Sequence, residues 1–201
     1  RIEFSPAGAL LPGMLKRLLT LGLALAFAAG AVTAVEPTNL STAKQQVALY
    51  VASGEYGKEV ARVAADANQY LIRRIPKGIP KSAKHSQKLA VVFDIDETTL
   101  SNARHIQAND YGYIPKVWDA WVAEGQATAI YPVQAVYNTA ANAKVDIFFI
   151  TGRSPEGAAA TERNLRQVGY ETWTRIIYKP ADFAESTRAF KIEARRKLAA
   201  E

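Results

Sequence analysis

The stretch LAVVFDIDETTLSN, Leu89–Asn102, decides the fold. An uninterrupted apolar run, Leu89 to Phe93, leads into three acidic side chains, Asp94, Asp96 and Glu97, with Thr98 and Thr99 directly behind. A short continuous run of β-branched and aromatic residues predicts a strand buried on both faces. Residues two apart on a strand project to one side, so Asp94 and Asp96 are expected to emerge together at its carboxyl end, with Ile95 opposite. In open α/β sheets that edge is where ligands bind. Two adjacent carboxylates repel each other unless a cation neutralises them, and oxygen-only donors at this charge density suit Mg²⁺. The pattern therefore calls for a metal and for something the metal would hold, typically a phosphate.

Blander readings compete with this one. A lone Asp-x-Asp at a strand end is ordinarily a turn former or helix cap. A calcium loop fails, because Thr99 stands where such a loop needs glycine and His105 stands at its twelfth position. A sugar-nucleotide transferase using Asp-x-Asp with Mn²⁺ stays open, but it does not account for a second strand of the same character.

That strand is VDIFFITG, Val145–Gly152, and the residues FFITGR end it in Thr151, Gly152 and Arg153. A hydroxyl and backbone N–H groups at a strand-to-helix turn form an anion site. Ser154 and Pro155 read as the cap and first turn of the following helix, and Gly169 as its stop. A weaker third run is RIIYKP, Arg175–Pro180. Continuous apolar strands separated by helices predict an α/β fold, a Rossmann-like parallel sheet with helices on both faces.

These residues resemble the haloacid dehalogenase (HAD) superfamily, in its subfamily IIIB branch of exported acid phosphatases, which includes bacterial class C enzymes and plant vegetative storage proteins. FDIDETTLSN matches the first motif, FFITGR the second, and Lys191 in FKIEARRKL the third. The resemblance implies a phosphomonoesterase in which Asp94 is the nucleophile and forms an aspartyl-phosphate. Asp96 would be general acid and then general base, and Thr151, the Gly152 N–H and Lys191 would bind phosphate. Mg²⁺ would be held by the Asp94 carboxylate and the Asp96 backbone carbonyl. Family members carry a fourth motif, an acidic pair after one more strand beside the first. Asp182 and Glu185 come too early to supply it, so the sequence is expected to be a C-terminally truncated piece of a longer protein, its first strand exposing an apolar edge. A non-catalytic protein of the same fold, truncated or storage-like, is the alternative.

The rest of the chain sets the context. With 201 residues, 49% hydrophobic and 22% charged, it is an ordinary globular sequence, and without cysteine it can use neither disulfides nor a thiolate metal site. Met14 opens a segment with Lys16 and Arg17 before the apolar run Leu18–Ala29, and Val32 and Ala34 suit a signal-peptidase site. Residues 1–34 are thus expected to be upstream sequence and signal peptide, giving a periplasmic or secreted product with no stable membrane anchor. Removing them takes away Arg1, Lys16 and Arg17 against Glu3, which lowers the net charge from +6 to +4. No aromatic-interleaved basic stripe accompanies that charge, so a nucleic-acid partner is not expected.

Residues 35–85 read as a helical segment and linker, with Leu40, Val47, Val51, Val60, Val63, Ala64, Ala67, Tyr70 and Leu71 at helical spacing and a break at Ser53–Gly57. The two helices would pack as a hairpin or against the later core, residues 86–201. Between the first two motifs, Trp118 and Trp121 lie one helical turn apart, with Tyr111, Tyr113 and Tyr131 nearby. Core packing is the first reading of this cluster. The other is an aromatic wall beside the phosphate site, which would favour nucleotide or aryl phosphates. His85 and His105 are expected at the surface.

Overall fold

A computed structural model describes residues 36–78 and 88–201. The expected signal peptide, most of the linker and His85 lie outside the described residues. Residues Ser41–Glu201 form one compact unit.

Helices α1 (Leu40–Ala52) and α2 (Glu55–Arg74) are separated at Gly54, whose φ of +79° suits a residue without Cβ. Strand β1 (Ala90–Phe93) follows, then β2 (Leu100–Ser101), α3 (Ala103–Ala108), α4 (Pro115–Glu124), β3 (Thr128–Ala129) and α5 (Tyr131–Asn142). Strand β4 (Asp146–Thr151) leads through a 3₁₀ turn, Pro155–Gly157, into α6 (Ala158–Gln167), and β5 (Arg175–Tyr178) leads to α7 (Thr187–Ala200).

Strands β1, β4 and β5 form a parallel sheet in the order β1–β4–β5, with Phe93 opposite Phe149 and Thr151 opposite Tyr178. Alternation along β4 feeds two cores. Ile147 and Phe149 pack with Phe93, Ile95, Tyr137, Leu165 and Tyr170, whereas Ile150 packs with Phe190 and Ala194 of α7. Helices therefore cover both faces, as a parallel sheet requires. Truncating a core residue as fully enclosed as Phe149 costs about 3–5 kcal/mol.

Helix α2 packs along α5 and places Ala64 in the larger core, so the helical segment shares that core. Helix α1 buries none of its residues, and Leu40 and Val47 face outward despite their spacing. An antiparallel pair, β2 with β3, was not expected; at two residues each, these strands are too short to carry a periodic pattern.

Two local expectations change. The first strand ends at Phe93, short of Asp96, because the Ile95 carbonyl gathers the N–H groups of Thr98, Thr99 and Leu100 and curls the chain into a turn. Ser154 occupies the cap position by its backbone but makes no capping bond. Its hydroxyl instead bonds the Glu156 carboxylate and holds that group below the usual carboxylate range. Gly169 ends α6 at a φ of +92°, and a Cβ there would stand 2.7 Å from the Gln134 Nε2.

Candidate active site

The carboxyl ends of β1 and β4 bring the expected site residues to one edge of the sheet. Asp94 follows the last residue of β1, and Thr151 is the last residue of β4. Lys191, one turn into α7, reaches the same edge, where its Nζ lies 2.6 Å from the Asp94 Oδ1. By distance this is an ion pair, but its direction does not make a hydrogen bond, so that buried oxygen keeps an unfilled acceptor position. The Asp94 backbone carbonyl accepts from the Thr99 hydroxyl at 2.5 Å, which fixes the chain just after the strand.

Because β1 stops at Phe93, a turn and not strand alternation presents Asp96. The two carboxylates meet different cations. Asp96 is held by Arg153, whose Nε and Nη2 donate to its Oδ1 at 3.0 and 2.7 Å. Asn102 Nδ2 donates to the same oxygen at 3.0 Å, while Oδ2 receives only a longer contact, 3.3 Å, from Arg153 Nε. Much of the charge compensation first expected from a metal thus comes from Lys191 and Arg153.

Arg153 itself is buried. Its Nη1 donates to Thr161 at 3.1 Å, its backbone N–H donates to the Thr151 Oγ1 at 3.1 Å, and its guanidinium carbon sits 5.8 Å from the Trp118 ring centre. Thr151 is completely buried, and its hydroxyl, having accepted from Arg153, can still donate. Gly152 is exposed, and a Cβ on it would come within 2.9 Å of the Thr187 Cγ2, so the loop after β4 and the start of α7 approach too closely for a side chain. Thr151 pairs with Tyr178, whose phenol is pushed up to about 12, by burial first and the Glu162 charge second.

The aromatic cluster divides between buried and exposed rings. Trp121 is buried and its indole N–H donates to Asn102 at 2.8 Å. Trp118 is half-buried beside Arg153, and Tyr113, 6.2 Å from it, is 71% exposed. His105 is not a surface residue. It is half-buried, stacked 5.3 Å from Trp121 at 23° and edge-on to Trp118, because α3 brings its ring between two side chains of α4. Arg153 and Asn102 were missed as site residues, although both stand in the quoted motifs.

The donor set permits a test of the implied Mg²⁺. The Asp94 carboxylate has an unfilled acceptor, and among the described residues no backbone N–H donates to the Asp96 carbonyl. Both are hard oxygen donors, as Mg²⁺ prefers. Among the described residues, no group of three or more His, Cys, Asp or Glu gathers as an all-protein cage.

A parallel sheet with paired acidic and cationic groups at its carboxyl edge defines an α/β protein with a candidate anion site. The family model described as HAD superfamily, subfamily IIIB (Acid phosphatase), matches residues 17–201, and the chain belongs to that family. It is similar to the stem 28 kDa glycoprotein of Glycine max, 35% identical over 53% of this chain and 44% of that protein. Against acid phosphatase 1 of Solanum lycopersicum it is 27% identical over 83% of this chain and 67% of the relative. The class C acid phosphatase of Bacillus anthracis with tungstate bound shares the fold, with a TM-score of 0.58 at 24% identity, over 77% of this chain and 65% of that one. The chain thus spans less than half the length of the first of these relatives and about two thirds of the others.

Proposed function

We propose that this protein is an exported, Mg²⁺-dependent acid phosphatase that hydrolyses small phosphomonoesters. The observation that carries the reading is the placement of Asp94 against Lys191 at 2.6 Å, at the sheet edge that also holds Thr151, Gly152 and Asp96. The Asp94 carboxylate attacks phosphorus while the bond to the leaving oxygen breaks, and Asp96 delivers a proton to that oxygen. Water then attacks the aspartyl-phosphate with Asp96 taking its proton, which releases phosphate and restores the Asp94 carboxylate.

Thr151, the Gly152 N–H and Lys191 hold the phosphoryl oxygens. Mg²⁺, bound by the Asp94 carboxylate and the Asp96 carbonyl, would supply charge neutralisation and a template for the phosphate. The exposed Tyr113 beside Trp118 favours aryl or nucleotide phosphates, and no nucleic-acid partner is proposed. Export rests on the segment from Met14 to Ala34, which points to a periplasmic or secreted product; no helix among the described residues is long and apolar enough to cross a membrane.

The test is release of phosphate from p-nitrophenyl phosphate. Wild type turns over, EDTA stops it and Mg²⁺ restores it, whereas Asp94→Asn is inactive. Retained turnover in Asp94→Asn would sink the assignment.

A further inference from the structure

Glu97 is the one acidic residue of the opening motif to which neither the nucleophile nor the general acid role falls. It stands directly after Asp96 with a φ of +53°, a left-handed conformation uncommon for a residue with a side chain. Both of its carboxylate oxygens are clamped by one residue: Asn102 donates its backbone N–H to Oε1 at 2.6 Å and its Nδ2 to Oε2 at 2.9 Å.

Asn102 is fully buried at the cap position of α3, where an Asn side chain ordinarily caps the helix, yet it makes no capping bond. Its amide goes elsewhere. Nδ2 reaches Asp96 Oδ1 at 3.0 Å as well as Glu97, and Oδ1 accepts the Trp121 indole N–H at 2.8 Å, which settles which end of the amide faces the carboxylates.

We infer that Glu97, Asn102 and Trp121 form a positioning strut for the proton-carrying group of the reaction. The inference rests on the phosphatase reading, because it concerns how Asp96 performs its step. With Arg153 and Asn102 both donating to Asp96 Oδ1, that oxygen is occupied, and the proton is carried on Oδ2, the sparsely bonded one. Glu97 holds Asn102 from the far side and keeps the turn in its left-handed form. Loss of the strut frees the Asp96 carboxyl to rotate about Arg153 and misdirects the proton.

A structural role alone and a positioning role differ in their dependence on the leaving group. p-Nitrophenolate leaves without a proton, whereas the alkoxide of glycerol 2-phosphate needs one. The experiment measures kcat/KM for both substrates, which reports phosphoryl transfer to Asp94 and not the later hydrolysis common to both, in wild type, Glu97→Gly, Asn102→Ala and Trp121→Phe. Glu97→Gly tolerates the left-handed backbone but removes the clamp, and Trp121→Phe keeps the ring while removing the N–H, so a variant that folds is available if Asn102→Ala does not.

The expected result is a kcat/KM loss on glycerol 2-phosphate of about 100-fold for Glu97→Gly and roughly tenfold for Trp121→Phe, with much smaller losses of kcat/KM on p-nitrophenyl phosphate. Wild-type kcat/KM on both substrates in Glu97→Gly, or equal losses of kcat/KM on both, overturn the strut while leaving the phosphatase assignment intact. A wild type that hydrolyses neither substrate removes the phosphatase reading and the strut with it.

Discussion

Arg153 and Asp96, 57 residues apart in sequence, are joined by contacts of 2.7, 3.0 and 3.3 Å, and the Arg side chain is only 2% exposed against 25% for Asp96. The buried member of the pair is therefore the cation. A carboxylate at this place serves the fold as well as the proposed chemistry, since it neutralises a guanidinium that water does not reach.

The structural role of Asp96 and its proposed catalytic role separate by substitution. Asp96→Asn keeps an oxygen for Arg153 but not the neutralising charge, and is expected to cost about 2 kcal/mol of stability. Asp96→Ala leaves a buried cation without a partner and is expected to cost about 3 kcal/mol or more. Both lose turnover of alkyl phosphates. Urea unfolding midpoints beside initial rates check this, and wild-type stability of Asp96→Ala would show that the ion pair does not support the fold.

Gly152 marks where the β4 loop meets α7. A Cβ at this position would stand 2.9 Å from the Thr187 Cγ2, inside van der Waals contact. Gly152→Ala is expected to lose about 1–3 kcal/mol by overpacking, and to lower activity as well, because pushing on Thr187 shifts the helix that carries Lys191. Thr187→Ser removes the offending methyl, so the double variant should recover most of both losses. Thermal melts of the two single variants and the double variant decide it.

What could be read in the sequence depended on how local each signal is. Strands β1, β4 and β5 stood out because uninterrupted β-branched and aromatic runs need no distant partner to be recognised, and Gly54 and Gly169 because their positive φ values select glycine. Lys191 was found through the order of the motifs. The turn after Phe93 was illegible, since it depends on three N–H groups converging on the Ile95 carbonyl. The burial of His105 arises when α3 and α4 fold against each other, and the use of Asn102 depends on Trp121, 19 residues later. The cap reading misled at Ser154, which occupies the cap position while its hydroxyl is held by the Glu156 carboxylate.

Lys191 faces Asp94 as a partly exposed pair, at 28% and 34% exposure of the two side chains, so its removal should hardly affect stability, by about 0–1 kcal/mol. In the proposed reaction the same charge offsets the carboxylate and the phosphoryl group together. Lys191→Met is therefore expected to melt near the wild type while losing about 100-fold to 1,000-fold in kcat. A variant of full activity would remove Lys191 from the site, and one that lost stability in proportion to activity would make its role structural.

Burial raises three phenols, and the direction of their shifts makes the fold lose stability as pH rises past the ordinary phenol range. Tyr178 is pushed up to about 12, chiefly by burial and then by Glu162; Tyr170 is raised further, by burial and then Tyr137; and Tyr56 is raised by burial and then the Glu97 charge. A tyrosine whose pKa is higher folded than unfolded keeps its proton in the native state after the unfolded chain has lost it. Its contribution is then fully present below the unfolded value of about 10 and is lost as pH rises through the folded value. Urea midpoints for the wild type should therefore decline from about pH 10 upward, each affected phenol adding a slope of about 1.4 kcal/mol per pH unit until it ionises in the folded state. Tyr178→Phe removes one such phenol at little cost at neutral pH, because the hydroxyl makes only a 3.4 Å contact with the Ala158 carbonyl, and should make the decline between pH 10 and 12 shallower. If the two proteins decline in parallel over that range, Tyr178 ionises no later in the folded chain than in the unfolded one, and its enclosure at the carboxyl end of β5 is looser than its contacts indicate.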